Sequence, residues 1–168
     1  MELTEKEVKD CHRELAELIT GSDTILATIL ATQDGLLVTS ESNDAAVESD
    51  AIAAMSASLI SLADALAGQA GKALVDNVIS EAESSTLAIL HAGSLILTVI
   101  GKAGVNIGLV LVSARRTAKK IEALTLRFGQ ENEEVLRGVE MLKDPEAVLE
   151  RIMKEMQEMH RRRTHGTE

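Results

Sequence analysis

Leu95-Ile96-Leu97-Thr98-Val99-Ile100-Gly101-Lys102-Ala103-Gly104-Val105-Asn106-Ile107-Gly108-Leu109-Val110 can be read in two ways, and the choice decides the fold. Taken from Ser94 to Ala114, the run is apolar enough to suggest a membrane span, which needs roughly 20 unbroken apolar residues. Lys102 stands near its middle, Gly101 and Gly104 flank it, and Asn106 follows. A buried strand from Leu95 to Ile100, a small-residue turn and a helix starting near Asn106 account for these interruptions. No integral membrane segment is therefore expected. The start, Met1-Glu2-Leu3-Thr4-Glu5-Lys6-Glu7, is charged and lacks the apolar core of a signal peptide, so a cytoplasmic location is expected.

The pattern extends outward from this stretch. Upstream, Thr86 to His91 is strongly aliphatic and joins it through a turn at Ala92-Gly93. Val75 to Glu83 is mixed in polarity, with Asp76, Asn77 and Glu81, and reads as an edge strand. Near the start, Thr4-Glu5-Lys6-Glu7 is a capping box. Val8, Cys11, Leu15 and Leu18 follow at helical spacing, and Gly21 ends that helix. Thr24 to Ala31 is apolar on both faces, as a strand covered on both faces must be. Gln33-Asp34-Gly35 supplies a hairpin turn into a strand at Leu36 to Ser40. After a polar loop from Glu41 to Glu48, a second helix runs from about Asp50 to Ala67. Ile52, Met55, Leu59, Leu62 and Leu66 form its bulky stripe, and its remaining face is rich in Ala and Ser. The third helix runs from Asn106 to about Arg127. Ile107, Val110, Ala114, Ala118 and Ile121 are expected inward, and Arg115, Arg116, Lys119 and Lys120 toward water.

The resulting order, α-β-β-α-β-β-β-α, predicts an α/β fold of three α/β/α layers around a five-stranded, mainly antiparallel sheet. It occupies residues 1–127. Residues 128–168 read as a helical C-terminal extension, with a fresh helix start at Asp144-Pro145-Glu146 and methionines at 141, 153, 156 and 159. That methionine stripe suits either docking on its own domain or an adaptable contact with another protein.

Composition narrows the function. The chain has 168 residues, 17 Lys plus Arg against 27 Asp plus Glu, and a net charge of −10, which argues against a nucleic-acid backbone binder. Phe128 is the sole aromatic residue, so stacking platforms for single strands are absent. One cysteine excludes an internal disulfide and a Cys-based zinc cage. Cys11 falls on the apolar stripe of the first helix, where a buried, inert thiol is expected. Gly68-Gln69-Ala70-Gly71-Lys72-Ala73 is too short for a phosphate-binding loop and lacks its Ser/Thr. His12, His91, His160 and His165 are scattered, and no metal site, cofactor or catalytic set is expected.

Three places resemble the roadblock family, the dynein-light-chain-like fold that includes MglB-type regulators of Ras-like GTPases. They are the hairpin Ile29-Leu30-Ala31-Thr32-Gln33-Asp34-Gly35-Leu36-Leu37-Val38, the alanine-rich second helix, and Ile100 to Val110 leading to Ala114-Arg115-Arg116. The resemblance covers residues 4–127. It implies a homodimer formed through the edge strand and the second helix, and a small Ras-like GTPase as partner. The dimer contacts are then expected at Ala53, Ala54, Ala57, Ala65, Val75, Asn77 and Ile79, with the bulky stripe turned toward the helix's own sheet. Partner contacts are expected at Ser58, Ser61 and Asp64. Residues 41–101 carry eight acids and one base, whereas residues 102–130 carry six bases and one acid. An acidic side of that kind can steer a basic partner. An arginine finger is not expected: Arg13, Arg115, Arg116 and Arg127 all read as helical, three of them on the third helix. The alternatives are a structural adaptor without effect on GTP hydrolysis, and a small-ligand sensor using the interior between sheet and helix.

Overall fold

Thr4 starts the first helix as the capping box requires. Its hydroxyl accepts from the Glu7 backbone at 3.3 Å, and the Glu7 carboxylate accepts from the Thr4 backbone. The helix, α1, spans Glu5–Thr20 and buries Glu7, Cys11, Leu15, Leu18 and Ile19. In the computed structural model, residues 3–71 and 74–143 are described, with side chains as far as Leu126. The further elements are β1 (Ile25–Thr32), β2 (Leu37–Ser42), α2 (Ser49–Gln69), β3 (Val78–Glu81), β4 (Ser85–Ala92), β5 (Leu95–Lys102) and α3 (Ile107–Lys143). The chain divides into two compact units, Met1–Arg127 and Phe128–Glu168.

The five strands form one sheet in the order β2-β1-β5-β4-β3, antiparallel at every pairing. Side-chain alternation then sorts the core into two layers. Leu30, Leu90, Leu97 and Val99 meet Cys11 and Leu15 of α1 and Val110, Ala114, Ala118 and Ile121 of α3. On the other face, Ala27, Ile29, Ala31 and Ile100 lie with Ala53 of α2, while Ile89 and Ile96 lie with Ala57 and Ile60. The expected three-layer α/β/α architecture is thus present, and both faces of the sheet are covered. Asn106 starts α3: its side-chain oxygen accepts from the backbone N–H of Gly108 at 3.1 Å and of Leu109 at 3.4 Å.

The packing of α2 reverses the expectation. Its buried residues are Ala53, Ser56, Ala57 and Ile60. The bulky residues Met55, Leu59, Leu62 and Leu66 are 41–65% exposed, and only Ile52 of that stripe packs partly against the core. The floor under α2 explains this. The sheet presents Ile29, Ile89 and Ile96, so small side chains on the helix let its backbone come close enough to fill the layer. Ala53 and Ala57 therefore belong to the interior of one chain and not to an outer surface.

The turn between β1 and β2 takes part in the same close approach. Gly35 has φ +86°, and a Cβ there would lie 2.9 Å from the Ala54 Cα. This position needs glycine both for its backbone and for the room it leaves α2.

Element boundaries shift for local reasons. The edge strand is Val78–Glu81, shorter than the expected 75–83: ahead of it the Val75 N–H is taken by the Asp64 carboxylate at 2.8 Å, and after it the Ala82 N–H donates to the Ser85 carbonyl at 2.8 Å in the turn into β4. The third helix continues past Arg127 to Lys143. Gly129 costs a helix interior only about 1 kcal/mol, too little to stop it. The expected helix start at Asp144-Pro145 and the methionines beyond it lie outside the described residues.

Candidate functional site

Because its small residues face the sheet, α2 turns its large ones to solvent. Met55, Leu59, Leu62 and Leu66 repeat at intervals of four, three and four, which aligns them on one side over three turns. Ala54, Ser58, Ser61 and Ala65 are exposed beside them. Between Ser49 and Gln69 the charged residues are Asp50 and Asp64. The surface is therefore apolar and nearly neutral, and contiguous exposure of this kind marks a contact surface. Among the described helices, α2 is long and apolar enough to cross a membrane by length and composition. Leu74 is also exposed, just before the edge strand, and so is Ile79 within it.

The residues expected at the site separate into two groups. Ser58 and Ser61 are exposed on α2, and the Ser58 hydroxyl donates to the Ala54 carbonyl at 2.9 Å. Asp64 is committed elsewhere. It accepts from the Val75 backbone and pairs with His91 Nε2 at 3.0 Å, tying the end of α2 to the segment that leads into β3 and to β4. Asn77 is likewise committed, since its side-chain oxygen accepts from Arg115 Nη2 at 2.8 Å. Val75 is half-buried, while Ile79, Ala54 and Ala65 are open to solvent.

A cavity of about 310 Å³ opens beside this cluster, lined by Gln33, Ser61, Asp64, Leu74, His91 and Ile96, with Ala57 and Ile60 beneath. It brings together His91, read as one of several scattered histidines, with Asp64 and Ser61. Nothing in the spacing of α2 and β4 along the chain announces that meeting. Across the sheet, His12 Nδ1 lies 3.0 Å from the Thr39 hydroxyl and its Nε2 lies 3.3 Å from Glu41. Among the described residues no three His, Cys, Asp or Glu gather as a metal site would require. Burial pushes the Cys11 thiol up to about 11, with the carboxylates of Asp10, Glu7 and Glu14 adding to it. Such a thiol is protonated at neutral pH and is a poor nucleophile.

The arginines are equally informative. Arg13 pairs with Asp10 at 3.0 Å and Arg115 with Asn77, whereas Arg116 is exposed. Lys120 bridges Glu14 at 2.6 Å and Glu17 at 3.2 Å. Both carboxylates hold its ammonium pKa above the ordinary lysine value. The arginines described here lie on α1 and α3, across the sheet from α2.

Against known proteins, residues 9–127 match the family described as "Mitogen-activated protein kinase kinase 1 interacting". An uncharacterized protein of Methanocaldococcus jannaschii, MJ1340, is 29% identical over 112 residues, covering 67% of this chain and 96% of that protein. Among solved structures, Myxococcus xanthus MglB superposes with a TM-score of 0.69 at 18% identity, covering 76% of this chain and 96% of that one. A Roadblock/LC7 domain from Streptomyces avermitilis gives 0.63 at 19% identity, covering 68% and 97%. These likenesses establish the roadblock fold.

Proposed function

Because this chain belongs to the family described as mitogen-activated protein kinase kinase 1 interacting, we propose that it is a dimeric roadblock-type regulator or scaffold of a small Ras-like GTPase. It acts by protein contact and performs no covalent chemistry of its own. The observation that carries this reading is the exposed Met55, Leu59, Leu62 and Leu66 stripe. It lies beside an open edge strand, β3, whose outer backbone groups have no strand partner among the described residues. Two copies joined along β3 bring their α2 helices together and satisfy both features at once. Ala54, Ala65 and Ile79 remain at that interface. Ser58 and Ser61 are left for the GTPase, and Asp64 serves as the tie that positions Val75.

The test is recovery of a Ras-like GTPase on the immobilised full chain, followed by GTP hydrolysis with both purified proteins. Faster hydrolysis identifies an activator, and binding without acceleration identifies a scaffold. Failure of every Ras-like GTPase offered to bind removes the proposal. The family's description, an interaction with a kinase kinase, favours a second reading as an adaptor that assembles other proteins. That reading is supported if a protein kinase binds to the same α2 surface in place of a GTPase.

A further inference from the structure

The third helix has a second seam that its own domain does not use. Its inner side buries Val110, Ala114, Thr117, Ala118, Ile121 and Thr125. Directly opposite, Leu109, Val112, Arg116, Lys119, Ala123 and Leu126 are all exposed. The intervals between them are three, four, three, four and three, the spacing of a helix that meets another helix lengthwise. Leu109, Val112 and Leu126 are 58–67% exposed, so the apolar ends of this seam are uncovered. The seam runs for about 26 Å at 1.5 Å per residue, enough for five turns of a partner helix.

The cations at its centre are unusual in their company. Four basic residues lie in this part of α3. Arg115 is held by Asn77, and Lys120 by Glu14 and Glu17. Arg116 and Lys119, the two on the seam, have no hydrogen-bond or ion-pair partner among the described residues.

The geometry points to this outer seam of α3 as the docking site for an acidic amphipathic helix of another protein, apolar at its ends and carboxylate-bearing at its centre. Charge decides among the occupants. A second copy aligned antiparallel sets Arg116 against Lys119, and a parallel copy sets each cation against itself, so like charges oppose self-pairing. An anionic membrane gains about 1 kcal/mol per basic residue near its surface, and two such residues on a chain of net charge −10 are few. A helix with two central carboxylates matches both the cations and the flanking apolar residues. The seam lies on the opposite side of the sheet from α2 and remains open when two copies join there, so it stands apart from the GTPase reading.

The full chain is titrated with a fluorescent helical peptide of about 18 residues, bearing Leu at the four outer seam positions and Glu at the two central ones. A sister peptide carries Lys at those two positions. The acidic peptide binds at least about ten-fold more tightly than its sister. Arg116→Glu combined with Lys119→Glu inverts that preference, and Leu109→Asp weakens both peptides. These positions are exposed, and circular dichroism checks that each variant is folded. Equal affinity for the two peptides, or a preference the double variant does not invert, overturns the proposal. So does co-sedimentation with vesicles of one-third anionic lipid that the double variant abolishes, because the seam then belongs to a membrane. A change in oligomeric mass in the double variant also overturns it, because the seam is then a self-contact.

Discussion

At the scale of single residues, two buried groups make opposite predictions about stability. Cys11 is fully buried, and its thiol pKa is raised from 9.0 to about 11. Below pH 9 both folded and unfolded chains hold the proton, so burial costs nothing extra. Between 9 and 11 the unfolded chain ionises first, and stability falls as pH rises, by roughly 2–3 kcal/mol at the upper end. The chain has no tyrosine to titrate in that window. Cys11→Ala should therefore flatten the alkaline slope of the unfolding free energy, whatever it does at pH 7; an unchanged slope contradicts the burial. Thr28, on the interior strand β1, is also fully buried, and its hydroxyl has no partner among the described residues. Valine keeps the shape and removes the unsatisfied group. Thr28→Val should raise stability by about 1 kcal/mol in a denaturant titration, and Thr28→Ser should not. The stripe that buries Cys11 was legible from periodicity, but the orphaned hydroxyl was not. A threonine in a β-branched strand has the same pattern whether or not its oxygen finds a partner.

At the scale of elements, the order of helices and strands was legible because each has its own local signal. Examples are the capping box at Thr4, the Asp34-Gly35 turn and the Asn106 start. The face of α2 was not legible. Every turn of that helix carries apolar residues on both sides, so periodicity offers two stripes and residue size misleads the choice between them. Only the isoleucine floor of the sheet decides it, and that floor is assembled from β1, β4 and β5, distant in sequence. The same close approach makes a prediction at Gly35. Alanine there meets the Ala54 backbone and must also hold a positive φ. Each strain is of order 1–3 kcal/mol, so Gly35→Ala should cost about 2–6 kcal/mol. Hydrogen exchange should rise first in α2 and the β1–β2 turn. Gly71, with φ +68° and open space around it, is the control: Gly71→Ala should cost only about 1 kcal/mol.

At the scale of the whole molecule, the question is whether the α2 surface suffices to hold two chains together. Transfer of a bulky apolar side chain from full exposure contributes about 1.5–3 kcal/mol. Four partly exposed residues on each of two chains give on the order of 10 kcal/mol before association costs of about 4–15 kcal/mol are subtracted. The stripe alone is thus close to break-even, so the proposed dimer requires the hydrogen bonds of two paired β3 edges for its surplus. The edge character of β3 was legible from its mixed polarity, but this coupling to α2 was not. It depends on Asp64 binding both Val75 and His91, which joins α2 to the segment leading into β3 and to β4. Since charge is sparse along α2, association driven this way should respond little to salt, unlike binding to the basic seam of α3. Light scattering should therefore return twice the 18.0 kDa chain mass at both about 0.05 and about 0.5 M salt. Leu59→Asp combined with Leu62→Asp should return a single-chain mass with unchanged circular dichroism, because both side chains face solvent within one chain. Asp64→Ala should leave the stripe intact but free the segment that leads into β3. It should weaken the dimer about ten-fold or more while the fold persists. If Asp64→Ala leaves the dimer as tight as before, the edge strand plays no part in joining the copies, and α2 alone must hold them.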